Sequence, residues 1–294
     1  MKEKIYVIFT MDCERIKKFS PPGGPETWRV SERAIEGFSE ILLDKNLLAT
    51  FFIVPQTAHQ HRGLFLDLEK KGFELGMHLH PQSFDGLRYK DYLGGYSLEK
   101  QIEILREAAN VWREALGKTP KSFRPGNFSA NDSTFRALYA VGFRQGSVSA
   151  PEREIPEYKA VWRGLYPYAH HVHPNFRLIP GNLDFYEVPV TEDWDKRTWQ
   201  GKSAMELRIE MGNIEDHFST INKRILDMRE KKIPVKTLVA VTHNFFDYKQ
   251  RREPRRKVLE KVTDYLWESA EKLNFQLCPI TLSNLHKIVD EENI

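Results

Sequence analysis

Two histidines, His78 and His80, follow an apolar run in the segment FELGMHLHPQ, residues 73–82. Alternate residues of a strand point to the same face of a sheet, so we expect both imidazoles to face one point. Neutral imidazoles are frequent ligands of divalent metals. The pair therefore indicates a metal site, although a polar strand end without a metal would show the same spacing.

Further polar side chains follow three other apolar runs. Asp12 and Glu14 come after the first run, and two neighbouring carboxylates can divide their roles, one binding a cation and the other accepting a proton. The alternative for Glu14 is that it only caps or solvates a loop. Arg124 and His243 follow later runs. A single buried histidine is usually a core residue, but four such coincidences favour an active site.

Short apolar runs alternate with helical patterns along most of the chain, which predicts an α/β fold with a parallel sheet. Helices are predicted at 31–46, with Ser31 as the cap, and at about 204–231. An irregular loop is predicted at about 151–183. The pattern indicates about seven parallel strands closing like a barrel in a single domain, 1–294, with an open doubly wound sheet as the alternative. Strands are predicted at 4–12, 47–55, 73–80, 122–128, 143–150, 185–190 and 237–245.

The composition is that of an ordinary globular protein. The 294 residues are 40% hydrophobic and 29% charged, and the formal net charge of +3 gives no reason to expect a nucleic-acid partner. Two isolated cysteines, Cys13 and Cys278, fit a reducing compartment. The first apolar run stops at Asp12 without a cleavage site, and no stretch approaches the ~20 apolar residues of a transmembrane helix. We therefore expect a cytoplasmic protein without a transmembrane segment.

Four motifs, TFF, ELGMHLHP, FRPG and VTH, resemble in order and spacing those of the polysaccharide deacetylases, the carbohydrate esterase family 4 type with a chitooligosaccharide deacetylase-homology domain. The resemblance extends over about 4–285. It implies a distorted (β/α) barrel that removes acetyl groups from N- or O-acetylated sugars with a divalent metal, zinc. It also implies that Asp12 is the general base, His243 the general acid, Arg124 the residue that orients the base, and His78 a metal ligand.

The sequence departs from the family pattern at two places. The first motif usually has adjacent aspartates, whereas this chain has Asp12 and Glu14 around a cysteine, which makes Glu14 the expected ligand. The second motif usually has histidines four residues apart, and the fourth position here is Gln82. We therefore predict Glu14, His78 and His80 as the metal ligands, with Gln82 as the alternative to His80.

Three weaker predictions complete the expected site. By the resemblance, Asp193 and Trp194 would contact the acid histidine and the sugar. The loop YAHHVHPNFR holds His170, His171 and His173, which could wall the cleft, add a ligand or simply be solvated. Two other functions are compatible with the pattern: hydrolysis of cyclic imides or ureides on a related barrel, and non-catalytic glycan binding with a degenerate metal site.

Overall fold

The computed structural model describes residues 2–20 and 23–292, so five residues of the predicted domain 1–294, at positions 1, 21, 22, 293 and 294, lie outside the described residues. Strands and helices alternate along the chain. The strands are β1 (Glu3–Cys13), β2 (Ala49–Ile53), β3 (Glu74–Leu79), β4 (Ser122–Pro125), β5 (Gln145–Gly146), β6 (Glu154–Ile155), β7 (Ala160–Val161), β8 (His170–His171), β9 (Tyr186–Glu187), β10 (Glu192–Thr198), β11 (Ser203–Glu206), β12 (Thr237–His243) and β13 (Phe275–Pro279).

The helices occupy most of the connections between strands of the central sheet. They are α1 (Trp28–Asp44), α2 (Pro55–Gln60), α3 (Arg62–Lys70), α4 (Pro81–Phe84), α5 (Leu98–Leu116), α6 (Thr134–Val141), α7 (Ile214–Glu230), α8 (Pro254–Lys272) and α9 (Leu282–Glu292). Among the residues described, no helix combines the length and the apolar character needed to cross a bilayer.

One mostly parallel sheet forms the centre of the fold. Its order is β12-β1-β2-β3-β4-β5-β9-β8, with β13 beside the first half of β1. All neighbours in this sheet run parallel except β8, which is antiparallel to β9. Nine of the eleven residues of β1 are buried, as expected for a central strand covered on both faces.

The segment after β9 brings the two ends of the sheet together. Val190 donates its backbone N–H to the Ser149 carbonyl at 3.2 Å, and Thr191 donates to the Val239 carbonyl of β12 at 3.3 Å. The sheet therefore curls into an incomplete barrel rather than an open doubly wound sheet. This confirms the predicted α/β class and distorted barrel.

Two predicted helix starts are wrong. Helix α1 begins at Trp28, and the Thr27 hydroxyl caps it by accepting the Val30 N–H at 3.2 Å. Ser31 is buried instead, where its hydroxyl accepts a hydrogen bond from the Asn244 amide at 2.8 Å. The helix predicted at 204–231 begins only at Ile214, because 203–206 form β11, antiparallel to β10.

The predicted loop at 151–183 and two predicted strands also differ in detail. Three short strands, β6, β7 and β8, lie within the loop. The strands predicted at 143–150 and 185–190 are much shorter in the structure. Only the two residues of β5 and the two of β9 pair with neighbouring strands, at the side where the sheet curls.

His61 is expected to make the stability of the fold depend on pH. Its ring is 7% exposed, and burial lowers the pKa of His61 to about 4. The unfolded chain, with an ordinary histidine pKa near 6.5, binds the proton first as pH falls, so the native state loses stability between pH 6.5 and 4. We expect this group to lower the free energy of unfolding by about 2 kcal/mol from pH 7 to 5.

Urea unfolding of the metal-free protein at pH 7 and pH 5 measures this effect. His61→Gln should reduce the loss between the two pH values by about 2 kcal/mol. The exposed neighbour His59 provides the matched control, and His59→Gln should keep the parental pH dependence. An unchanged pH dependence in His61→Gln would contradict the prediction.

Candidate active site

A cavity of about 590 Å³ opens at the carboxyl ends of β1, β3, β4 and β12. Parallel pairing sets Asp12 beside His243 and His78 beside Arg124, so the register of the sheet brings these four side chains together. The cavity wall includes Asp12, Glu14, His78, His80 and His243, and Gln82 also lines it.

Three buried side chains that could bind a metal, Glu14, His78 and His80, meet on one side of the cavity. Glu14 Oε1 lies 2.8 Å from His80 Nε2 and 3.1 Å from His78 Nε2. The other ring nitrogen of His78, Nδ1, lies 2.8 Å from the Arg124 carbonyl oxygen and donates a hydrogen bond to it. The lone pair of Nε2 is then available to bind a metal. Such a backbone contact is the usual way in which a metal-binding histidine is oriented.

This donor set fits a divalent cation. Two imidazole nitrogens and a carboxylate are a ligand combination that zinc prefers, and the ligand atoms all lie within 4.8 Å of one another. Burial alone would raise the pKa of Glu14, but His80 and His78 outweigh it and hold the pKa well below its usual range. Glu14 Oε2 is buried without a hydrogen-bond partner, so this oxygen is still available as a metal ligand. A metal-binding triad is therefore possible at Glu14, His78 and His80.

Gly126 of the FRPG motif makes room for His80. A Cβ atom at position 126 would overlap the His80 imidazole. We expect Gly126→Ala to displace this ring and to weaken zinc binding at the triad by about 10- to 100-fold, the usual effect of disturbing the support of a metal ligand.

Zinc titration of the metal-free protein, monitored by calorimetry, measures this affinity. Gly63 on α3 is the matched control because a Cβ there meets nothing within 4 Å, and Gly63→Ala should bind zinc as the parent does. Equal affinities in the two variants would show that His80 is not a ligand.

Asp12 and Arg124 form a buried ion pair beside the triad. Arg124 Nη1 donates to Asp12 Oδ1 at 2.7 Å and to the Thr10 hydroxyl at 2.9 Å. Its Nε and Nη2 donate to the carbonyl and hydroxyl of Ser147. Burial alone would raise the pKa of Asp12, but Arg124, His78 and His243 outweigh it and hold the pKa below its usual value. The result is an ionised carboxylate in a fixed orientation.

His243 faces Asp12 from the last strand of the barrel. His243 Nε2 lies 3.9 Å from Asp12 Oδ2, the oxygen that Arg124 does not hold. On the other side of the ring, Nδ1 contacts the carboxylate of Glu210. The Glu210 contact therefore orients the ring, with Nε2 toward Asp12 and the cavity.

Sequence reasoning missed Glu210 because the helix predicted at 204–231 covered it. In the structure, Ile209 donates to the Val241 carbonyl at 2.9 Å, and Arg208 pairs with Val241 in a parallel bridge. This extended segment runs alongside β12 in space and brings Glu210 to His243. The sequence ELRIEM alternates polar and apolar residues, which is the period of a strand, and this signal could have identified the segment.

We compared the sequence with models of known protein families and with curated proteins. Residues 23–146 match the family model described as polysaccharide deacetylase. This segment therefore carries the sequence pattern of the polysaccharide deacetylases, as the resemblance implied. The predicted enzyme class, a hydrolase of the deacetylase family, is therefore confirmed. No curated protein matches the chain.

Solved structures with the same fold include two assigned as polysaccharide deacetylases. One from Mycobacterium smegmatis is 17% identical, with a TM-score of 0.66 over 100% of this chain and 93% of that one. One from Pseudomonas aeruginosa PAO1 is 14% identical, with a TM-score of 0.60 over 98% and 91%. The Puue allantoinase is 12% identical, with a TM-score of 0.60 over 97% and 90%.

The match to the polysaccharide deacetylase family covers only part of the candidate site. Residues 23–146 include His78, His80 and Arg124. Asp12 and Glu14 precede the matched residues, and His243 follows them. The arguments for these last three residues therefore rest on their geometry in the cavity.

Two residues predicted to bind substrate in this deacetylase-type fold lie away from the cavity. Asp193 forms an ion pair with Lys223 of α7 at 2.9 Å. Trp194 packs under the guanidinium of Arg224, 3.6 Å from the ring centroid. Because β10 packs against α7, these two side chains face the helix. Glu210 occupies the place beside His243 that the resemblance gave to Asp193.

The three loop histidines also lie outside the cavity wall, and each has different contacts. His170 is buried, and its Nδ1 lies 2.7 Å from the Tyr168 carbonyl. His173 accepts a hydrogen bond from the Asn175 N–H at 3.0 Å. His171 faces helix α9. The loop therefore adds no ligand to the triad.

Proposed function

We propose that this protein is a zinc-dependent hydrolase that removes acetyl groups from N- or O-acetylated carbohydrate. The observation that carries the proposal is the meeting, in one cavity, of the donors Glu14, His78 and His80 with two oriented groups, Asp12 and His243. A glycan-binding module would need neither the buried Asp12–Arg124 pair nor the His243–Glu210 contact. Both contacts favour catalysis.

The mechanism assigns a separate step to each oriented group. A divalent cation held by the three donors would supply Lewis acidity and polarise the acetyl carbonyl. Asp12 accepts the proton of the attacking water through Oδ2, because Arg124 holds Oδ1. The water oxygen bonds to the carbonyl carbon, and the bond to the sugar nitrogen or oxygen breaks. His243 then gives the leaving group a proton from Nε2.

The rest of the cavity suits a sugar ring. Tyr92 and Tyr158 lie together in the wall with ring centroids 5.2 Å apart, and Trp199 is 51% exposed at the rim. Aromatic faces of this kind cover the apolar side of a bound ligand, while polar groups around them fix its orientation. The wall therefore supports a carbohydrate substrate rather than a small ion.

Glu210 is expected to act as a positioning residue through His243. Glu210→Gln keeps the size of the side chain but removes the carboxylate that contacts Nδ1 and orients the ring. We expect kcat for acetate release to fall by about 10- to 100-fold, with KM little changed. The ratio of the losses on an N-acetylated sugar and on an aryl ester supplies a second readout, because only the amide depends on a well-placed general acid. An unchanged kcat together with an unchanged ratio would remove Glu210 from the mechanism.

A substrate screen tests the proposed reaction against its alternatives. The zinc-loaded protein should release acetate from an acetylated chitooligosaccharide or an acetylated xylan, and it should leave allantoin intact. Hydrolysis of allantoin alone would support the cyclic ureide reaction, which the name of the Puue allantoinase attributes to that similar structure. Binding of the oligosaccharides without any turnover would support the glycan-binding module.

A further inference from the structure

A second group of metal-type donors lies far along the barrel from the cavity. His286 and Asp290 lie one turn apart on α9, and His171 of β8 faces them. His171 Nε2 lies 3.6 Å from Asp290 Oδ1, and His286 Nε2 lies 3.5 Å from Asp290 Oδ2. We propose that His171, His286 and Asp290 form a second divalent-metal site, for a cation of the zinc type.

The spacing of these atoms fits a shared cation better than hydrogen bonds. Separations of 3.5 and 3.6 Å exceed the usual 2.7–3.2 Å of an N–H···O hydrogen bond. Zinc bonds to nitrogen and oxygen of about 2.0–2.1 Å place tetrahedral ligand atoms roughly 3.4 Å apart. Each histidine nitrogen therefore stands near this distance from one oxygen of Asp290, and one ligand atom from each of the three residues lies within 4.8 Å of the others.

His286 is held in the orientation that a ligand needs. Its Nδ1 lies 3.2 Å from the Gln145 side-chain oxygen, so Nδ1 carries the proton and Nε2 has the free lone pair. The side chain is 7% exposed, and Nε2 is buried without a hydrogen-bond partner. Tyr186 stacks on this ring with centroids 5.4 Å apart and meets the edge of the His171 ring at 5.1 Å. An unpaired, fixed imidazole nitrogen is what a bound cation would use.

The site would connect the last helix to the edge of the sheet. Gln145 is the first residue of β5, so the cluster lies toward the amino ends of the parallel strands. Asp184 adds a nearby carboxylate, 3.9 Å from His286 Nε2, but its other oxygen lies 3.6 Å from Arg144 Nε. We therefore place Asp184 outside the ligand set, with water completing the tetrahedron. A cation here would join α9 to the β8–β9 pair across more than a hundred residues of chain.

Zinc stoichiometry tests the second site independently of catalysis. The full chain, freed of metal by a chelator and titrated with zinc ions, should bind two equivalents. A background that lacks the first triad, His78→Ala with His80→Ala, should bind one. Adding Asp290→Asn, an exposed position, should reduce this to none. His173→Ala, in the same loop as His171, is the matched control and should leave one equivalent in that background.

The outcomes separate this inference from the proposed function. If the background binds no zinc, or if it keeps one equivalent after both Asp290→Asn and His286→Ala, the second site does not exist. Thermal melting of each metal-free variant checks that it is folded before titration. Absence of acetate release by the wild-type protein would contradict the proposed reaction and would leave the stoichiometry of this site unaffected.

Discussion

Asp12→Asn is expected to lower kcat for acetate release by about 10²–10⁴-fold, the usual contribution of a general base. The asparagine oxygen can still accept the hydrogen bond from Arg124 that Asp12 Oδ1 accepts at 2.7 Å. Its amide nitrogen, however, replaces the oxygen that would take the proton. Zinc binding at the triad should change little, so initial rates with the zinc-loaded variant measure the loss of the base.

The matched control is Asp195→Asn, which neutralises a carboxylate that is 77% exposed and does not line the cavity. This variant should retain the parental rate within about twofold, since surface substitutions of this kind change little. A rate for Asp12→Asn within tenfold of the parent would remove Asp12 from the mechanism.

His243→Ala is expected to cause a loss of similar size, about 10²–10⁴-fold, on an N-acetylated sugar. An amine is a poor leaving group without a proton, so this substrate depends on the general acid. An aryl ester such as 4-nitrophenyl acetate releases a stabilised phenolate and should lose less than about tenfold in the same variant. Initial rates with both substrates therefore separate the loss of an acid from a general loss of structure.

Equal losses on the amide and the aryl ester would contradict the role given to His243. The Glu210→Gln variant offers an internal comparison, because it keeps the imidazole but removes the carboxylate that contacts Nδ1. Its effect should also be larger on the amide than on the aryl ester.

The sequence predicted the site best where regular strands set the positions of its side chains. Strand alternation puts Asp12 and Glu14 on one face and His78 and His80 on one face, and parallel register then aligns Asp12 with His243 and His78 with Arg124. Such relations depend only on the two-residue period and on the order of the strands. They can be derived before any loop is placed.

The sequence predicted the site least well between β9 and α7. The resemblance gave Asp193 a place beside the acid histidine, but β10 pairs with β11 and turns Asp193 toward Lys223. Glu210 reaches His243 through an extended segment that single-residue helix propensities do not distinguish from the start of α7. These contacts depend on tertiary packing, which overrides local propensity.

The proposed second metal site also depends on tertiary packing that the sequence does not reveal. His171 and His286 are separated by more than a hundred residues, and no spacing motif connects them. Helical periodicity relates His286 to Asp290, but only the packing of α9 against β8 and β9 brings His171 to that face. The sequence indicated a histidine-rich loop and could not indicate its partner.

A crystal structure of the zinc-loaded protein with acetate, with anomalous diffraction recorded at the zinc absorption edge, is the most direct test of the proposed centre. We expect a zinc peak bonded to Glu14, His78 and His80, with acetate between the metal, Asp12 and His243. A cavity without an anomalous peak, or a zinc ion bonded through Gln82 with His80 turned away, would contradict this account.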